Sequence, residues 1–320
     1  MDGNSPVRGG PTGGGSADPP WATRRGNASL PVAVPQAKPA LSAAKPPTAR
    51  RKRSWLSRVL LALLFTAGLW CVYQYVTLPD AGTLLDHNPE DTALMRARDE
   101  ATRSEGKRPR HRQYWVPLGA IAPHAVDAVI ASEDGSFYIH HGIDYDELKK
   151  VLDKAWEKRS LGRGASTITQ QLAKNLWLSG DRSLVRKAKE LILARRLEDA
   201  LPKKRILTLY LNVVEWGDGV YGIEAAAREH FGISASGLSV AQGAILAAML
   251  PAPRRWTPAS RSRALRKRAL WIVDHLEKAG RISAEDGSAA RSEIERMLAK
   301  DLGMPEQPDE TDEPPDEDRL

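Results

Sequence analysis

Residues 59–76 form an uncharged apolar run of 18 residues, VLLALLFTAGLWCVYQYV. A helix of about 20 such residues is needed to cross the hydrocarbon core of a bilayer. Aromatic side chains, which favour the two membrane interfaces, stand near both ends of the run: Trp55 at one end and Trp70, Tyr73 and Tyr75 at the other. This run therefore predicts a membrane-spanning helix, and the rest of the chain must be organised around it.

Two alternatives compete with a membrane anchor. A cleaved signal peptide has a shorter apolar region of about 7–15 residues and a small-residue cleavage site, and no such site follows residue 76. A buried core helix would not explain the basic cluster at residues 50–53. We predict an uncleaved anchor at 54–78 in the cell (inner) membrane. By the positive-inside rule the N-terminus is cytoplasmic, and the residues after the anchor are periplasmic or extracytoplasmic.

The segments at the two ends of the chain have the composition of disordered tails. Residues 1–53 carry nine prolines, seven glycines and a net charge of +7, without apolar periodicity. Residues 301–320 hold nine acids against one base. We predict a basic cytoplasmic tail at 1–53 and an acidic tail at 301–320. A single cysteine, Cys71, excludes an internal disulfide framework and any multi-cysteine metal site.

Residues 81–300 are predicted to form one folded domain dominated by helical periodicity. Strand signals are thin, and we expect no hairpin turn between alternating runs. The net charge of +8 supports only weak attraction to nucleic acid, which the predicted external location also argues against. The predicted helices are Ile121–Ser132, Asp144–Lys158, Ser166–Leu178, Leu184–Ala200, Lys203–Asn212, Ile223–His230, Val240–Met249 and Ser260–Ala279.

The first candidate for chemistry is the pair Glu133-Asp134, where an apolar helix runs into two adjacent carboxylates. The negative end of a helix dipole disfavours a charged acid, and an exposed carboxylate whose proton affinity is raised in this way suits a general base. The alternative is a solvated helix end without function. His140 and His141 follow; packing or hydrogen bonding is favoured for them over metal binding.

The second candidate is the segment 162–175, in which a Gly-rich stretch precedes Ser-Thr and a helix start. Backbone N–H groups there favour an anion such as a phosphate. The helix carries an unusually polar face, and a solvent face normally prefers Glu and Lys to paired glutamines. An ordinary solvent face is the alternative to a ligand-facing one. The polar residues are Ser166, Thr167, Gln170, Gln171, Lys174 and Asn175.

The third candidate is the segment 182–198, with an apolar stripe along one helix. Lys187 and Glu190 lie three residues apart and share a face. Taken alone, this spacing favours a surface ion pair of small energetic value.

Together these segments resemble the peptidoglycan glycosyltransferase family, specifically its monofunctional biosynthetic transglycosylase branch. The resemblance covers about residues 115–258. It rests on Glu-Asp-x-x-Phe-x-x-His-x-Gly at 133–142, Ser-Thr-Ile-Thr-Gln-Gln-Leu-x-Lys-Asn at 166–175, Arg-Lys-x-x-Glu at 186–190, Tyr-Leu-Asn at 210–212 with Glu-Trp-Gly at 215–217, and Leu-Pro-x-Pro at 250–253.

The resemblance implies a mainly α, lysozyme-like fold of two lobes behind one N-terminal transmembrane helix. It implies polymerisation of lipid II into β-1,4-linked glycan by inverting transfer, with release of undecaprenyl pyrophosphate. Glu133 matches the catalytic base, and Glu190 matches the second catalytic glutamate, near the donor pyrophosphate. The cationic substrate-binding positions match Lys174, Arg182 and Lys187. The supporting positions of the first motif are Asp134, Phe137 and His140.

The same resemblance implies that a divalent metal, Mg or Mn, can bridge Glu190 and the pyrophosphate; no organic cofactor is expected. The expected partners are lipid II, the growing glycan strand, the membrane, and proteins of the cell-division or elongation machinery. A glycan hydrolase with a catalytic glutamate and a non-enzymatic membrane scaffold are the rival readings. Neither needs three cations together with the polar face 166–175.

Overall fold

The computed structural model describes residues 50–158, 166–178, 180 and 183–299. The helices in these residues are α1 (Arg50–Val76), α2 (Ala93–Ser104), α3 (Pro123–Glu133), α4 (Tyr145–Lys158), α5 (Ile168–Trp177), α6 (Leu184–Ala200), α7 (Lys203–Val213), α8 (Ile223–Phe231), α9 (Val240–Met249), α10 (Arg263–Lys278) and α11 (Ala284–Leu298). The strands are β1 (Arg112–Gln113), β2 (Glu215–Gly217) and β3 (Val220–Tyr221). The mainly α fold class is thereby confirmed.

Helix α1 contains the apolar run from which a membrane span was predicted. Its stretch Trp55–Val76 is 22 residues long. Among the described residues, this is the one helix that is both long enough and apolar enough to cross a membrane. Its large apolar side chains are exposed, unlike those of a core helix. The chain divides into two units, 1–62 and 63–320, with the boundary inside α1.

Within the second unit, an arginine of α6 binds the C-terminal end of α1. Arg196 donates from Nη2 to the Tyr75 carbonyl at 2.9 Å and from Nη1 to the Leu78 carbonyl at 3.1 Å. Its guanidinium carbon lies 4.6 Å from the centroid of the Tyr75 ring. The last carbonyls of a helix have no partner inside the helix and carry partial negative charge, so a cation at this position stabilises the helix end.

The centre of the core is α9, which is apolar on nearly every side and buried along most of its length. A helix of that composition must be surrounded by other elements, and α3, α10 and α11 pack around it. The approach of α3 is close: a Cβ atom on Gly243 would lie 2.9 Å from Ala125 Cα. Glycine at this position therefore lets α3 sit against α9, and α3 ends at Glu133.

A second group of helices packs around α5. Its apolar residues Ile168, Leu172 and Leu176 are buried and face the core, while α2, α6 and α7 pack against the helix. The polar residues of α5 project between these neighbours, so the packing decides which of them reach solvent. This arrangement places α5 and α6 side by side, with the start of α5 at the end of α3.

A three-stranded sheet contains a hairpin, although the sequence shows no hairpin turn between alternating runs. Strand β3 pairs parallel with β1 and antiparallel with β2. The turn of the β2–β3 hairpin contains Asp218-Gly219, and Asp-Gly is a strong hairpin signal. Gly219 has φ +67°, and a Cβ there would lie 2.1 Å from the Arg110 carbonyl oxygen. The strands of two and three residues are too short to show alternation, which explains the missed prediction.

The eight predicted helices are present, with bounds shifted by three residues at most. Two others were missed, α2 and α11. Helix α11 had a readable signal, since its buried residues recur at helical spacing and Ser283 with Asp286 forms a capping box. Helix α2 buries only Ala93 and Met95 among its apolar residues, and its charged sequence gives little periodicity.

Candidate active site

Glu133 is the last residue of α3, and its carboxylate accepts hydrogen bonds at both oxygens. Gln171 of α5 donates from Nε2 to Oε2 at 3.0 Å. Arg268 of α10 donates from Nη2 to Oε1 at 3.2 Å, and the Ser132 hydroxyl lies 3.1 Å from the same oxygen. The side chain is 11% exposed. Three helices thus hold this carboxylate, and the interpretation of a solvated helix end is wrong.

Asp134, the neighbouring carboxylate, is buried rather than exposed as the sequence suggested. Its Oδ2 accepts from the backbone N–H of Ile168 at 2.9 Å, at the first turn of α5. Both of its oxygens lie within 3.0 Å of His140 Nε2. Asp134 therefore joins the end of α3 to the start of α5. This explains the contrast between two adjacent acids: Glu133 is bound by the side-chain amide of Gln171, and Asp134 fixes the end of α3 against the start of α5.

Phe137 completes this cluster as a fully buried core residue. The ring of His140 lies 6.4 Å from its ring centroid, and Lys203 Nζ lies 4.4 Å from the same centroid. All three residues predicted as supporting, Asp134, Phe137 and His140, therefore lie together behind Glu133. His141 takes no part in these contacts.

We expect Asp134→Ala to destabilise the fold, because it leaves the Ile168 N–H and the His140 ring without their acceptor. A buried group left unpaired costs about 1–3 kcal/mol. Thermal unfolding of the detergent-solubilised full-length protein measures the effect, with Asp91→Ala as control because Asp91 forms an exposed pair with Arg96. An unfolding midpoint equal to that of the control variant would show that Asp134 does not join the two helices.

The polar residues of 166–175 divide into two sets. Ser166, Gln171 and Lys174 line an open cleft. Thr167, Gln170 and Asn175 are buried. Of the buried set, Thr167 caps α5 and donates to the Gly142 carbonyl at 2.7 Å, and Gln170 donates to the same carbonyl at 3.2 Å. These two residues hold the loop after α3, and direct contact with a ligand stays a prediction for them and for Asn175.

Glu190 is buried on α6, and its neighbours are cations. Lys187 Nζ contacts its Oε1, and Arg186 Nη1 lies 3.9 Å from its Oε2. Lys187 Nζ also lies 3.3 Å from both Ser166 Oγ and Gln170 Oε1. Since Glu190 is 4% exposed, this is not the surface ion pair that spacing alone favoured. Arg182, the third predicted cation, lies outside the described residues.

The cleft beside these residues has a volume of about 470 Å³. Its charged lining groups are three cations, Lys174, Arg186 and Lys187, and one carboxylate, Glu190. Gln171 lines it as well and carries the hydrogen bond to Glu133. The cleft therefore offers a positive surface to an anion, with a hydrogen-bonded carboxylate one side chain away.

A divalent metal fits poorly at Glu190. Divalent Mg and Ca prefer several oxygen ligands, whereas this carboxylate stands alone between two cationic side chains. Within the described ranges, there is no group of three or more His, Cys, Asp or Glu that could hold a metal. We therefore derive no step through a metal.

Sequence reasoning missed three residues of this site. Arg268 lies in a basic stretch of α10, 135 residues from Glu133, and nothing in its spacing separates it from its exposed neighbours. Arg186 stood inside a motif without an assigned role. Tyr210 also stood inside a motif, and its hydroxyl donates to Gln171 Oε1 at 2.9 Å. Only proximity in the folded chain identifies their contacts.

A hydrogen-bonded glutamate beside a cationic cleft in a helical domain is the arrangement that an acid–base enzyme for a negatively charged substrate would need. The transglycosylase family model matches residues 99–277. The chain belongs to the transglycosylase family, and the resemblance read from its motifs is confirmed.

Relatives agree with that assignment. The biosynthetic peptidoglycan transglycosylase of Azoarcus sp. (strain BH72) is 45% identical over 202 residues, 63% of this chain and 86% of the relative. That of Nitrosospira multiformis is 40% identical over 227 residues, 71% and 97% of the two chains. Among solved structures, penicillin-binding protein 1A from Haemophilus influenzae matches with 21% identity and a TM-score of 0.35, over 58% of this chain and 18% of that one. That score is too low to support a structural argument.

Proposed function

We propose that this chain is a membrane-anchored peptidoglycan glycosyltransferase that polymerises lipid II into β-1,4-linked glycan. One observation carries the proposal: Glu133 is hydrogen-bonded through Gln171 to the edge of a cleft lined by Lys174, Arg186 and Lys187. Glycosyl transfer from a lipid pyrophosphate needs a base for the attacking hydroxyl and positive charge for the departing anion. Both requirements are present side by side.

In the proposed reaction, the carboxylate of Glu133 removes the proton from the sugar hydroxyl of the acceptor. The hydroxyl oxygen forms a bond to the anomeric carbon of the donor while the bond from that carbon to the pyrophosphate oxygen breaks. The electron pair leaves with undecaprenyl pyrophosphate. A single displacement of this kind turns the α bond of the donor into a β bond, so the transfer is inverting.

The cations of the cleft are proposed to stabilise the leaving pyrophosphate. Preorganised charge aimed at a developing anion is commonly a large contribution to catalysis. Lys174 and Lys187 are assigned this role, with Arg186 added from the structure. For Arg182 the same role rests on the family resemblance alone. Glu190 is assigned the orientation of Lys187 and Arg186, since its buried carboxylate contacts both. Metal binding at Glu190 stays a prediction from the resemblance.

The alternative functions differ from this proposal in the charged groups that each would need at the cleft. A glycan hydrolase releases a neutral sugar and has no use for three cations at its cleft. A non-enzymatic scaffold has no use for a carboxylate held by donors from three helices. A net charge of +8 attracts nucleic acid only weakly and without sequence preference, and the predicted external location argues against that function. These differences favour transfer from a pyrophosphate donor.

The decisive assay incubates detergent-solubilised full-length protein with labelled lipid II, with and without Mg²⁺ or Mn²⁺. We expect growth of glycan chains and release of undecaprenyl pyrophosphate. Cleavage of finished glycan without growth from lipid II would support the hydrolase, and the absence of both would leave the scaffold.

The proposed anchor places the enzyme on the surface where a lipid-linked substrate diffuses. Confinement to the same membrane raises the effective concentration of the substrate. The proposed organisation is a cytoplasmic tail at 1–53, an anchor at 54–78, the catalytic domain at 81–300 outside the inner face, and the acidic tail at 301–320. Contacts with cell-division or elongation proteins stay a prediction.

We expect a reporter fused after residue 320 to be active only outside the cytoplasm, because Arg50–Arg53 retain the N-terminal side. Paired fusions of alkaline phosphatase and a fluorescent protein that folds only in the cytoplasm provide the measurement. The matched control moves the same fusion to a chain with residues 50–53 changed to serine, which should weaken the orientation. Cytoplasmic activity of the C-terminal fusion in the native chain would contradict the topology.

A further inference from the structure

A chain of two hydrogen bonds connects Glu133 to a buried tyrosine of α7. The Tyr210 hydroxyl donates to Gln171 Oε1 at 2.9 Å, and Gln171 Nε2 donates to Glu133 Oε2 at 3.0 Å. The tyrosine is fully buried, and it lies 39 residues along the chain from Gln171. It does not line the cleft, so it reaches the carboxylate only through the amide.

The direction of this chain is fixed by the chemistry of its members. An amide has one end that donates and one that accepts, and an ionised carboxylate can only accept. With its carbonyl oxygen held by Tyr210, the amide must present its NH₂ to Glu133. An amide turned around would present a carbonyl oxygen instead, and only a protonated carboxyl could satisfy it.

The Tyr210 hydroxyl keeps its proton. Burial raises its pKa well above the ordinary value, and the negative charges of Glu133 and Asp134 raise it further. A neutral hydroxyl remains a donor over the whole range in which a general base of this kind titrates. The donor that holds the amide oxygen of Gln171 is therefore present throughout that range.

Two other charged groups lie beside Glu133, and each has partners of its own. Arg268 of α10 donates to Oε1 and also to Ser132 of α3. Asp134 is engaged by His140 and by the N–H of Ile168. Two of the described groups that contact the Glu133 carboxylate, the Gln171 amide and the Ser132 hydroxyl, can either donate or accept, and of these the amide is the one bound by Tyr210.

We propose that Tyr210 is a positioning residue, which locks the Gln171 amide so that Glu133 is kept as an acceptor and thus as a base. The inference rests on the proposed role of Glu133 and adds a residue that does not touch substrate.

Tyr210→Phe should move the acidic limb of the pH dependence of kcat/KM upward. Without the hydroxyl, the amide can turn its oxygen to Glu133 and stabilise the protonated carboxyl, so the base is lost at a higher pH. We expect a shift of about one pH unit, comparable to one hydrogen bond to a charge. At pH values above the shifted limb, kcat/KM should return close to that of the native enzyme.

The matched control is Tyr221→Phe. Tyr221 is equally buried, and its hydroxyl has no hydrogen-bond partner among the described residues. Tyr221→Phe removes one hydroxyl, as Tyr210→Phe does, but that hydroxyl does not contact the Gln171 amide. The acidic limb of kcat/KM should therefore not shift. A loss of activity at all pH values in Tyr210→Phe, without displacement of the limb, would assign Tyr210 to packing alone and overturn the inference.

Gln171→Met removes the amide that connects the two groups. In that background, Tyr210→Phe should displace the acidic limb no further, whereas independent effects would add. Titration of Glu133 by ¹³C NMR in selectively labelled protein gives the same test without substrate. It separates the two failures: an enzyme inactive on lipid II refutes the proposed function, and an unchanged carboxyl titration in Tyr210→Phe refutes the lock.

Discussion

Glu133→Gln is expected to lower the rate of glycan polymerisation by about 10²–10⁴-fold, the usual contribution of a positioned general base. The amide keeps the size and shape of the side chain but cannot take the proton of the attacking hydroxyl. Its oxygen can still accept from Arg268 or Gln171, although its NH₂ must then face one donor. Activity on labelled lipid II at several pH values measures the loss, and no pH should restore it.

The fold should survive this substitution, because the buried core around α9 does not include Glu133. Circular dichroism and thermal unfolding of the purified protein check that point. Glu295→Gln makes the same chemical change on α11, where the carboxylate pairs with Arg266 at the surface, and it should leave polymerisation unchanged. Turnover close to native in Glu133→Gln would exclude the residue as the base.

Lys187→Ala and Glu190→Gln are each expected to lower kcat/KM for polymerisation by a large factor. A hydrogen bond to a charged group contributes about 1.5–3 kcal/mol, which corresponds to roughly 10–100-fold in kcat/KM. Lys187→Ala removes a cation from the leaving-group side of the cleft. Glu190→Gln leaves Lys187 and Arg186 without the buried carboxylate that holds them, and should cost a comparable factor.

The double variant decides what Glu190 does. If Glu190 acts by orienting Lys187, the double substitution should cost scarcely more than Lys187→Ala, because the two effects share one contact. Excess Mg²⁺ or Mn²⁺ should not rescue Glu190→Gln. Additive losses together with rescue by metal would instead assign Glu190 to a metal held on the pyrophosphate.

A neighbouring pair on the same helix provides the control. Arg195 and Asp199 of α6 form an ion pair at 3.1 Å with side chains 58% and 61% exposed, and exposed pairs contribute little. Arg195→Ala and Asp199→Asn should therefore leave kcat/KM near the native value. If Lys187→Ala, Glu190→Gln and this control pair all behaved alike, the cationic cleft would not be the leaving-group site.

Much of the architecture could be read from local patterns. Helical periodicity placed eight helices within a few residues of their observed bounds, because a helix buries the same face every three to four residues. The prediction of an anchor follows from the length and the uncharged, apolar composition of 59–76. The Ser-Thr pair at 166–167 predicted a helix start, and the structure makes Thr167 the cap. The order and spacing of the motifs were sufficient to indicate the family.

Local patterns failed where elements are short or charged. The two- and three-residue strands show no alternation, and the charges of α2 hide its two buried apolar residues. The exposure of side chains on one helix face was also beyond reach. Gln170 and Gln171 are adjacent and alike, yet one is buried against Gly142 and the other reaches the cleft.

The sequence by itself determined which residue types stand at the candidate site: a glutamate at a helix end, a polar helix start, and a lysine and glutamate on one face. Only the tertiary structure decided what each of them does there. Asp134 joins α3 to α5, because its carboxylate accepts from the backbone N–H of Ile168 at the start of α5. Glu133 is the candidate base, because its carboxylate is bound by the Gln171 side chain instead. Arg268 and Tyr210 join Glu133 from α10 and α7. Contacts between residues so far apart along the chain are set by the packing of whole helices, and no spacing in the sequence encodes them.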